Sequence, residues 1–247
     1  MIMQVKPFPV ILKEAYMLSP KVKHFVFESS LNPVFDYLPG QFITIHFEKE
    51  GKILRRSYSI ANVPQQNNLI EFAAGYVEGG PGTQLLFNLK PGDAINITGP
   101  FGRLILKDNA PKRYLLVATS TGVTPYRAML SSLKEHLLKN PDSKVVILQG
   151  VQKSEDVLYK NEFSAFAKEF STQVVFRAHL SREPKENLKE FEFSGYVQTA
   201  FPELQLNPAE DLIYLCGNPS MIDEAFAYLK EQNFEMPQII REKYISR

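Results

Sequence analysis

Arg56-Ser57-Tyr58-Ser59 places a guanidinium, a phenol and two hydroxyls on consecutive residues. On a strand, side chains two apart share a face. Arg56 can then fork onto a phosphate, Tyr58 can lay its ring against a flat heterocycle, and Ser59 can hydrogen-bond a polar ring edge. Read alone, the segment is equally an ordinary strand with a surface arginine. Downstream, Gly79-Gly80-Pro81-Gly82-Thr83 precedes a short helical stretch. Free N–H groups at a helix start attract an anion, and the Thr83 hydroxyl adds to them. In isolation, a glycine turn with a helix cap explains that segment at least as well.

Two later segments carry a second kind of chemistry. Ala118-Thr119-Ser120-Thr121-Gly122-Val123-Thr124-Pro125 follows a continuous apolar run and opens a helix. Open α/β sheets bind dinucleotide pyrophosphate at such a turn, and Pro125 suits the first helical position. The alternative is a plain strand-to-helix loop with a threonine cap. Leu215-Cys216-Gly217-Asn218-Pro219-Ser220-Met221 ends a strand at a lone cysteine. Gly217 permits close backbone approach, and Asn218-Pro219 starts a helix. Buried cysteines are common and usually inert, but ligands sit at the C-terminal ends of parallel strands.

The elements that must position these residues fall into two patterns. Short runs rich in Phe, Val, Ile and Tyr predict strands at 23–28, 41–47, 55–60, 69–76 and 94–98. Turns at Pro39-Gly40, Asn67-Asn68 and Pro91-Gly92-Asp93 separate them, and a helix is expected at 82–89. That spacing suits an antiparallel barrel or sandwich. From Pro111 onward strands alternate with helices. Strands are predicted at 113–118, 144–149, 173–179, 211–215 and 238–241, and helices at 125–138, 161–170 and 218–232. Tyr126, Met129, Leu130, Leu133 and Leu137 share one helical face, as do Ile222, Ala225, Phe226 and Leu229. Alternation of this kind implies a parallel sheet covered on both sides. The chain is thus read as two domains, an antiparallel β-barrel over 1–107 and an α/β parallel-sheet domain over 108–247.

Composition narrows the classes. Hydrophobic residues make up 44% and charged residues 22%, as in soluble globular proteins. A net charge of +1 offers no general attraction to nucleic acid or acidic membranes. Cys216 is the only cysteine, so neither an internal disulfide nor a cluster of about four thiolate ligands can be built from these residues. The four histidines lack metal-ligand spacing. With no apolar leader and no run of ~20 apolar residues, the expectation is a cytoplasmic enzyme without nucleic-acid, membrane or metal partners.

Taken together and in order, these segments resemble the ferredoxin–NADP reductase family over nearly the whole chain. Arg-x-Tyr-Ser looks like its flavin signature. Leu89-Lys90-Pro91-Gly92-Asp93 and Gly99-Pro100-Phe101-Gly102 look like its next landmarks, and the Thr-x-Thr-Gly-x-Thr-Pro and Cys-Gly-Asn-Pro-x-Met segments complete the set. Gly150-Val151 with Asp156 and Tyr159, then Ser181-Arg182-Glu183, are most similar to the bacterial ferredoxin/flavodoxin–NADP reductases. The resemblance implies a flavin-binding barrel followed by a nicotinamide domain. It implies FAD rather than FMN, NADPH as co-substrate, and ferredoxin or flavodoxin as one-electron carrier. A flavin reductase, the reductase component of an oxygenase, and a non-enzymatic electron-transfer subunit are the rivals.

Carried over residue by residue, Arg56, Ser57, Tyr58, Ser59, Gly82 and Thr83 would hold the flavin, with Arg56 and Thr83 at its phosphates. Ala73, Ala74, Gly75 and Tyr76 would line it. Thr121, Gly122 and Thr124 would lie where flavin and dinucleotide meet, with Gly217 and Met221 also at the nucleotide. Ser59 and Cys216 would flank hydride transfer, and Glu242 with Tyr244 match the terminal Glu-x-aromatic pattern, Tyr244 covering the flavin. Ser181 and Arg182 would grip the 2′-phosphate of NADPH. Arg55, Arg103, Lys107 and Lys112 would form a basic rim for an acidic carrier. Two departures stand out. Ser120 occupies a usual glycine position, and Ile245-Ser246-Arg247 follow Tyr244 where bacterial members often have a tryptophan beside the tyrosine; this chain has no Trp.

Overall fold

The computed structural model describes residues 6–30, 35–63, 68–107 and 111–244. The chain divides into two compact units, Met1–Ile105 and Leu106–Arg247. Asn67 of the expected turn, the joint at 108–110 and the tail Ile245-Ser246-Arg247 lie outside the described residues. No helix is long and apolar enough to cross a membrane among the described residues.

The first unit contains β1 (Phe8–Ser19), β2 (Val22–Ser29), β3 (Phe42–Lys49), β4 (Lys52–Ser59), β5 (Leu69–Gly75), α1 (Pro81–Asn88) and β6 (Ala94–Phe101). The strands form one sheet in the order β4-β3-β6-β1-β2-β5, with every neighbouring pair antiparallel. A bridge between Ile60 and Phe72 joins the two end strands. The sheet therefore closes into a barrel, which removes its open edges. Phe25, Phe27, Ile43, Ile45, Ile60, Phe72 and Leu86 fill it. Phe27 and Phe72 stack at 5.5 Å within that core.

The strand β1 is absent from the sequence-based expectation, and its register shows why. Val10 and Leu12 point inward, but a bulge between Leu12 and Glu14 interrupts the pairing with β2. A bulge shifts the alternation by one residue, so Lys13-Glu14 break the period in a strand that is mostly exposed beyond them. Strand β4 also begins earlier than expected. Glu50 and Gly51 both have positive φ, at 54° and 70°, which makes a tight hairpin of the kind that twisted antiparallel strands favour.

The second unit contains β7 (Arg113–Thr119), α2 (Thr124–Lys139), β8 (Lys144–Val151), α3 (Lys160–Glu169), β9 (Val174–Leu180), β10 (Glu192–Ser194), β11 (Asp211–Gly217), α4 (Pro219–Glu231) and β12 (Ile239–Lys243). The sheet order is β10-β9-β8-β7-β11-β12, parallel throughout. The chain builds outward from β7 to β10, then returns to the other side of β7. Its topological switch point therefore lies between β7 and β11. Ligands of open α/β sheets bind beyond the carboxyl ends of the strands at this point. Both strands are apolar and buried, and Arg113 pairs with Asp211 at 2.5 Å at their opposite end. The three-residue β10 carries too short a pattern to be read from sequence.

Candidate functional site

In the first unit, the pleat of β4 turns Arg56 and Tyr58 to one face and exposes Arg55 and Ser57 on the other. The Tyr58 ring stacks on Phe72 with centroids 5.0 Å apart. Burial pushes its phenol up to about 12, against the opposing pull of the Arg56 charge. Ser59 is buried, and the Ser57 hydroxyl is 2.9 Å from that of Thr44. Ala73 and Ala74 of β5 are buried and directly follow Phe72, so small side chains continue the surface on which Tyr58 rests. Beyond Gly75, Tyr76 is exposed and meets Phe87 edge-on at 5.3 Å.

The start of α1 closes down on this face. A Cβ at Gly82 would lie 2.8 Å from Arg56 Cγ and 3.5 Å from the Tyr58 hydroxyl. Gly82 thus allows the helix backbone to approach the arginine that can take a phosphate. The first-turn N–H groups of a helix have no intrahelical acceptor, so free donors lie beside the stem of Arg56, whose guanidinium donates to the Arg55 carbonyl at 2.7 Å. Thr83 behaves differently from the expectation. Its hydroxyl accepts from the Val77 N–H at 3.2 Å and lies 3.0 Å and 3.1 Å from the Val77 and Gly80 carbonyls. These contacts make the hydroxyl part of the glycine turn that leads into α1. The donor set, the flat tyrosine face and the glycine-permitted approach fit a flavin nucleotide.

In the second unit, the loops after β7 and β11 interlock. Residues Ser120–Val123 form a single 3-10 turn leading into α2. A Cβ at Gly122 would lie 2.4 Å from the Cys216 carbonyl oxygen, and one at Gly217 would lie 2.4 Å from Thr119 Oγ1. The Asn218 N–H donates to Thr119 Oγ1 at 2.8 Å. Asn218 Oδ1 then caps α4, accepting from the N–H groups of Ser220 at 2.8 Å and Met221 at 3.3 Å. Ser120 has φ of +47°, the left-handed region where a non-glycine residue is strained by about 1–2 kcal/mol. This is the position where the family resemblance expects glycine. Thr121 is partly exposed. Thr124 is 1% exposed, and its hydroxyl has no hydrogen-bond partner among the described residues.

Cys216 is fully buried and sits between Ala118 of β7 and Glu242 of β12. Burial pushes its thiol well above the ordinary range, Glu242 adds to the rise, and a hydrogen bond with Tyr244 opposes it. The sulfur is therefore a neutral thiol at physiological pH. The Tyr244 N–H donates to the Gly217 carbonyl at 2.8 Å, which fixes Tyr244 beside Cys216. Tyr126, read from the sequence only as a core residue, sets its hydroxyl 3.0 Å from the Val117 carbonyl and 2.9 Å from that of Tyr214.

Ser181 and Arg182 follow β9 at the same sheet edge, two strands from β7. The Ser181 hydroxyl is 3.3 Å from the Val151 carbonyl, and the Arg182 N–H donates to Gln152 at 2.9 Å, while the Arg182 side chain is exposed. Glu183 accepts from the Ser154 N–H at 3.0 Å and does not pair with Arg182. Nearby, the buried Glu192 carboxylate accepts from the Ser154 hydroxyl at 2.6 Å and the Lys189 N–H at 3.0 Å. This cluster has no sequence signal, because its members share no spacing. Ser59 belongs to the first unit, and Cys216, Glu242 and Tyr244 to the second. The expected basic rim is partly engaged: Lys112 pairs with Glu210 at 2.6 Å, and the Lys107 ammonium bonds the Pro237 carbonyl.

A barrel that presents phosphate and ring contacts, followed by a parallel sheet with a glycine-lined switch point, defines a flavin-dependent nicotinamide oxidoreductase. Residues 9–105 match the oxidoreductase FAD-binding domain, and residues 116–226 match the oxidoreductase NAD-binding domain. Ferredoxin--NADP reductase B of Sorangium cellulosum is 32% identical over 227 residues, 89% of each chain. The toluate 1,2-dioxygenase electron transfer component of Pseudomonas putida is 29% identical over 220 residues, 87% of this chain and 61% of that protein. The crystal structure of a ferredoxin NADP+ reductase from Neisseria gonorrhoeae with bound FAD and NADP shares the fold, with a TM-score of 0.82 over 97% of this chain and 99% of that one at 18% identity. The chain belongs to the ferredoxin–NADP reductase family, and it is a flavoprotein oxidoreductase with an FAD-binding and an NAD-binding domain.

Proposed function

We propose that this enzyme passes electrons between NADPH and a one-electron protein carrier, ferredoxin or flavodoxin. Bound FAD supplies the conversion between a hydride pair and single electrons. Arg56 and the start of α1 hold the FAD phosphates, and Tyr58, Ser59 and the segment Ala73–Tyr76 line its ring system. Thr121, Gly122 and Thr124 take the dinucleotide beyond β7, with Gly217 and Met221 beyond β11. Ser181 and Arg182 bind the 2′-phosphate. Cys216 packs beside the nicotinamide as a neutral thiol. Glu242 and Tyr244 lie beside Cys216.

The observation that carries this reading is the interlock of Gly122 with Cys216. It brings the loops after β7 and β11 into backbone contact at the switch point, and so creates a close-approach surface for a dinucleotide. For the carrier, the exposed side chains of Arg55 and Arg103 favour an acidic protein. Rim charges mainly speed encounter and are screened by salt. Reduction of ferredoxin or flavodoxin should therefore slow as ionic strength rises, while reduction of the bound flavin by NADPH holds steady. Carrier kinetics insensitive to salt, or no transfer to either carrier, would contradict the proposal. The similarity to the toluate dioxygenase component favours a second reading, service to an oxygenase, and the same carrier screen separates the two.

A further inference from the structure

A polar cluster at the ligand edge of the second sheet is not used by the proposed reaction. Strands β8 and β9 end there side by side, at Val151 and Leu180. Their pairing runs on for two residues: the Ser181 N–H donates to the Val151 carbonyl at 3.0 Å, and the Arg182 N–H to the Gln152 carbonyl at 2.9 Å. The chain then runs over 183–191 before entering β10 at Glu192. Ser154, in the turn after β8, holds both ends of that loop. Its N–H donates to Glu183 Oε2 at 3.0 Å, and its hydroxyl donates to Glu192 Oε1 at 2.6 Å. The same hydroxyl accepts from Lys189 Nζ at 2.7 Å, and Glu192 Oε2 accepts from the Lys189 N–H at 3.0 Å. We infer that Ser154, Lys189 and Glu192 are positioning residues for nucleotide selectivity, which hold the segment Ser181-Arg182 in place to receive a 2′-phosphate.

Three observations support that role. The first is burial. The Glu192 side chain is 1% exposed, and a buried carboxylate is unfavourable unless hydrogen bonds satisfy it. Both of its oxygens are bonded by the turn after β8 and by the loop itself, so its burial is tied to closing this one connection. The second is the use of a single hydroxyl. A serine hydroxyl has one proton and two lone pairs. Ser154 gives its proton to Glu192 and a lone pair to Lys189, so one small side chain joins the turn to two points of the loop. The third is placement. Arg182 lies between its own backbone bond to Gln152 and the bond from Ser154 to Glu183, so its backbone is fixed on both sides while its side chain is exposed. A phosphate then meets a guanidinium on an ordered segment, and ordering a loop during binding would cost affinity.

The inference rests on Arg182 as the 2′-phosphate contact and is independent of the electron acceptor. The test is calorimetric titration of the flavin-loaded enzyme with 2′,5′-ADP, with stopped-flow flavin reduction by NADH as the control. Losing a hydrogen bond that orders the segment translates into roughly 2- to 10-fold weaker 2′,5′-ADP binding for Ser154→Ala, with NADH reduction unchanged. Lys189→Met should show a smaller loss of the same kind, and the exposed Lys189 keeps the test open if Ser154→Ala does not fold. In an Arg182→Ala background, Ser154→Ala should weaken binding by less than about twofold more, because residues that act through one another are not additive. Unchanged 2′,5′-ADP binding, an equal loss in NADH reduction, or the full Ser154→Ala loss persisting beside Arg182→Ala would overturn the positioning role. No binding of 2′,5′-ADP by wild type, or equal binding by Arg182→Ala, would instead overturn the 2′-phosphate reading and the inference with it.

Discussion

The two ligand-facing regions of this molecule are built from opposite materials. In the first unit, side chains carry the chemistry: Arg56 and Tyr58 project from a closed barrel, and one glycine lets a helix start come down on them. In the second, the backbone carries it. Gly122 and Gly217 let two loops meet carbonyl to Cα at the switch point, and the nearby sulfur is buried and neutral. The difference implies separable failures. Changes in the first region should alter affinity and leave folding intact, whereas a side chain added at Gly122 or Gly217 of the second should reach the fold before it reaches the ligand.

The largest expected effect tests that division directly. Gly122→Ala would push a methyl into the Cys216 carbonyl at 2.4 Å, a backbone atom that cannot swing aside. Overpacking costs roughly 1–3 kcal/mol and occasionally more, and this site belongs at the upper end. Gly82→Ala meets side chains instead, Arg56 Cγ at 2.8 Å with Tyr58 and Phe47 at 3.5 and 3.6 Å; side chains can give way where a carbonyl cannot, so the urea midpoint should shift less than for Gly122→Ala while FAD loosens. Similar midpoints for the two variants would erase the distinction.

Next in size is Arg56→Ala. Losing a charge-assisted phosphate contact costs about 1.5–3 kcal/mol, so FAD retention should fall by more than about tenfold with unchanged thermal stability. Unaltered retention would show that the helix start alone holds the phosphates. Cys216→Ser should keep FAD bound and slow flavin reduction by NADPH in stopped-flow mixing. Because burial raises the thiol well above its ordinary value, the wild-type rate should not follow a thiolate titration as pH rises toward 9. A rate that does would reassign Cys216 as an ionised group. The smallest effect is expected of Ser120→Gly. Removing left-handed strain at φ +47° should add about 1 kcal/mol of stability, and a loss of stability would mean that the Ser120 side chain makes a needed contact.

The same contrast explains what could be read from the sequence. Arg56, Tyr58 and Gly82 were legible because side-chain type and strand period carry them. The alternation of strands and helices in the second unit was legible because parallel strands are continuous apolar runs. Strand β1 was hidden by its bulge and its exposed second half, and β10 by its length. The glycines at 122 and 217 were visible as glycines, but their partners, 94 or more residues apart in the case of Gly122 and Cys216, were not. The left-handed Ser120, the inward-turned Thr83 hydroxyl and the Ser154–Glu192–Lys189 cluster depend on tertiary placement that no local pattern encodes.

The claim that joins both regions is that NADPH is the nucleotide, and it turns on one exposed guanidinium. Glu183 accepts from the Ser154 N–H, and the exposed Arg182 is the group proposed to meet the 2′-phosphate that NADH lacks. Stopped-flow reduction of the bound flavin, with wild type and Arg182→Ala titrated against each nucleotide, tests it most directly. Charge-assisted contacts of ~1.5–3 kcal/mol predict a wild-type preference for NADPH and a loss of roughly 10- to 150-fold in NADPH affinity on substitution, with NADH nearly unchanged. A wild-type preference for NADH, or equal losses for both nucleotides, would contradict the account.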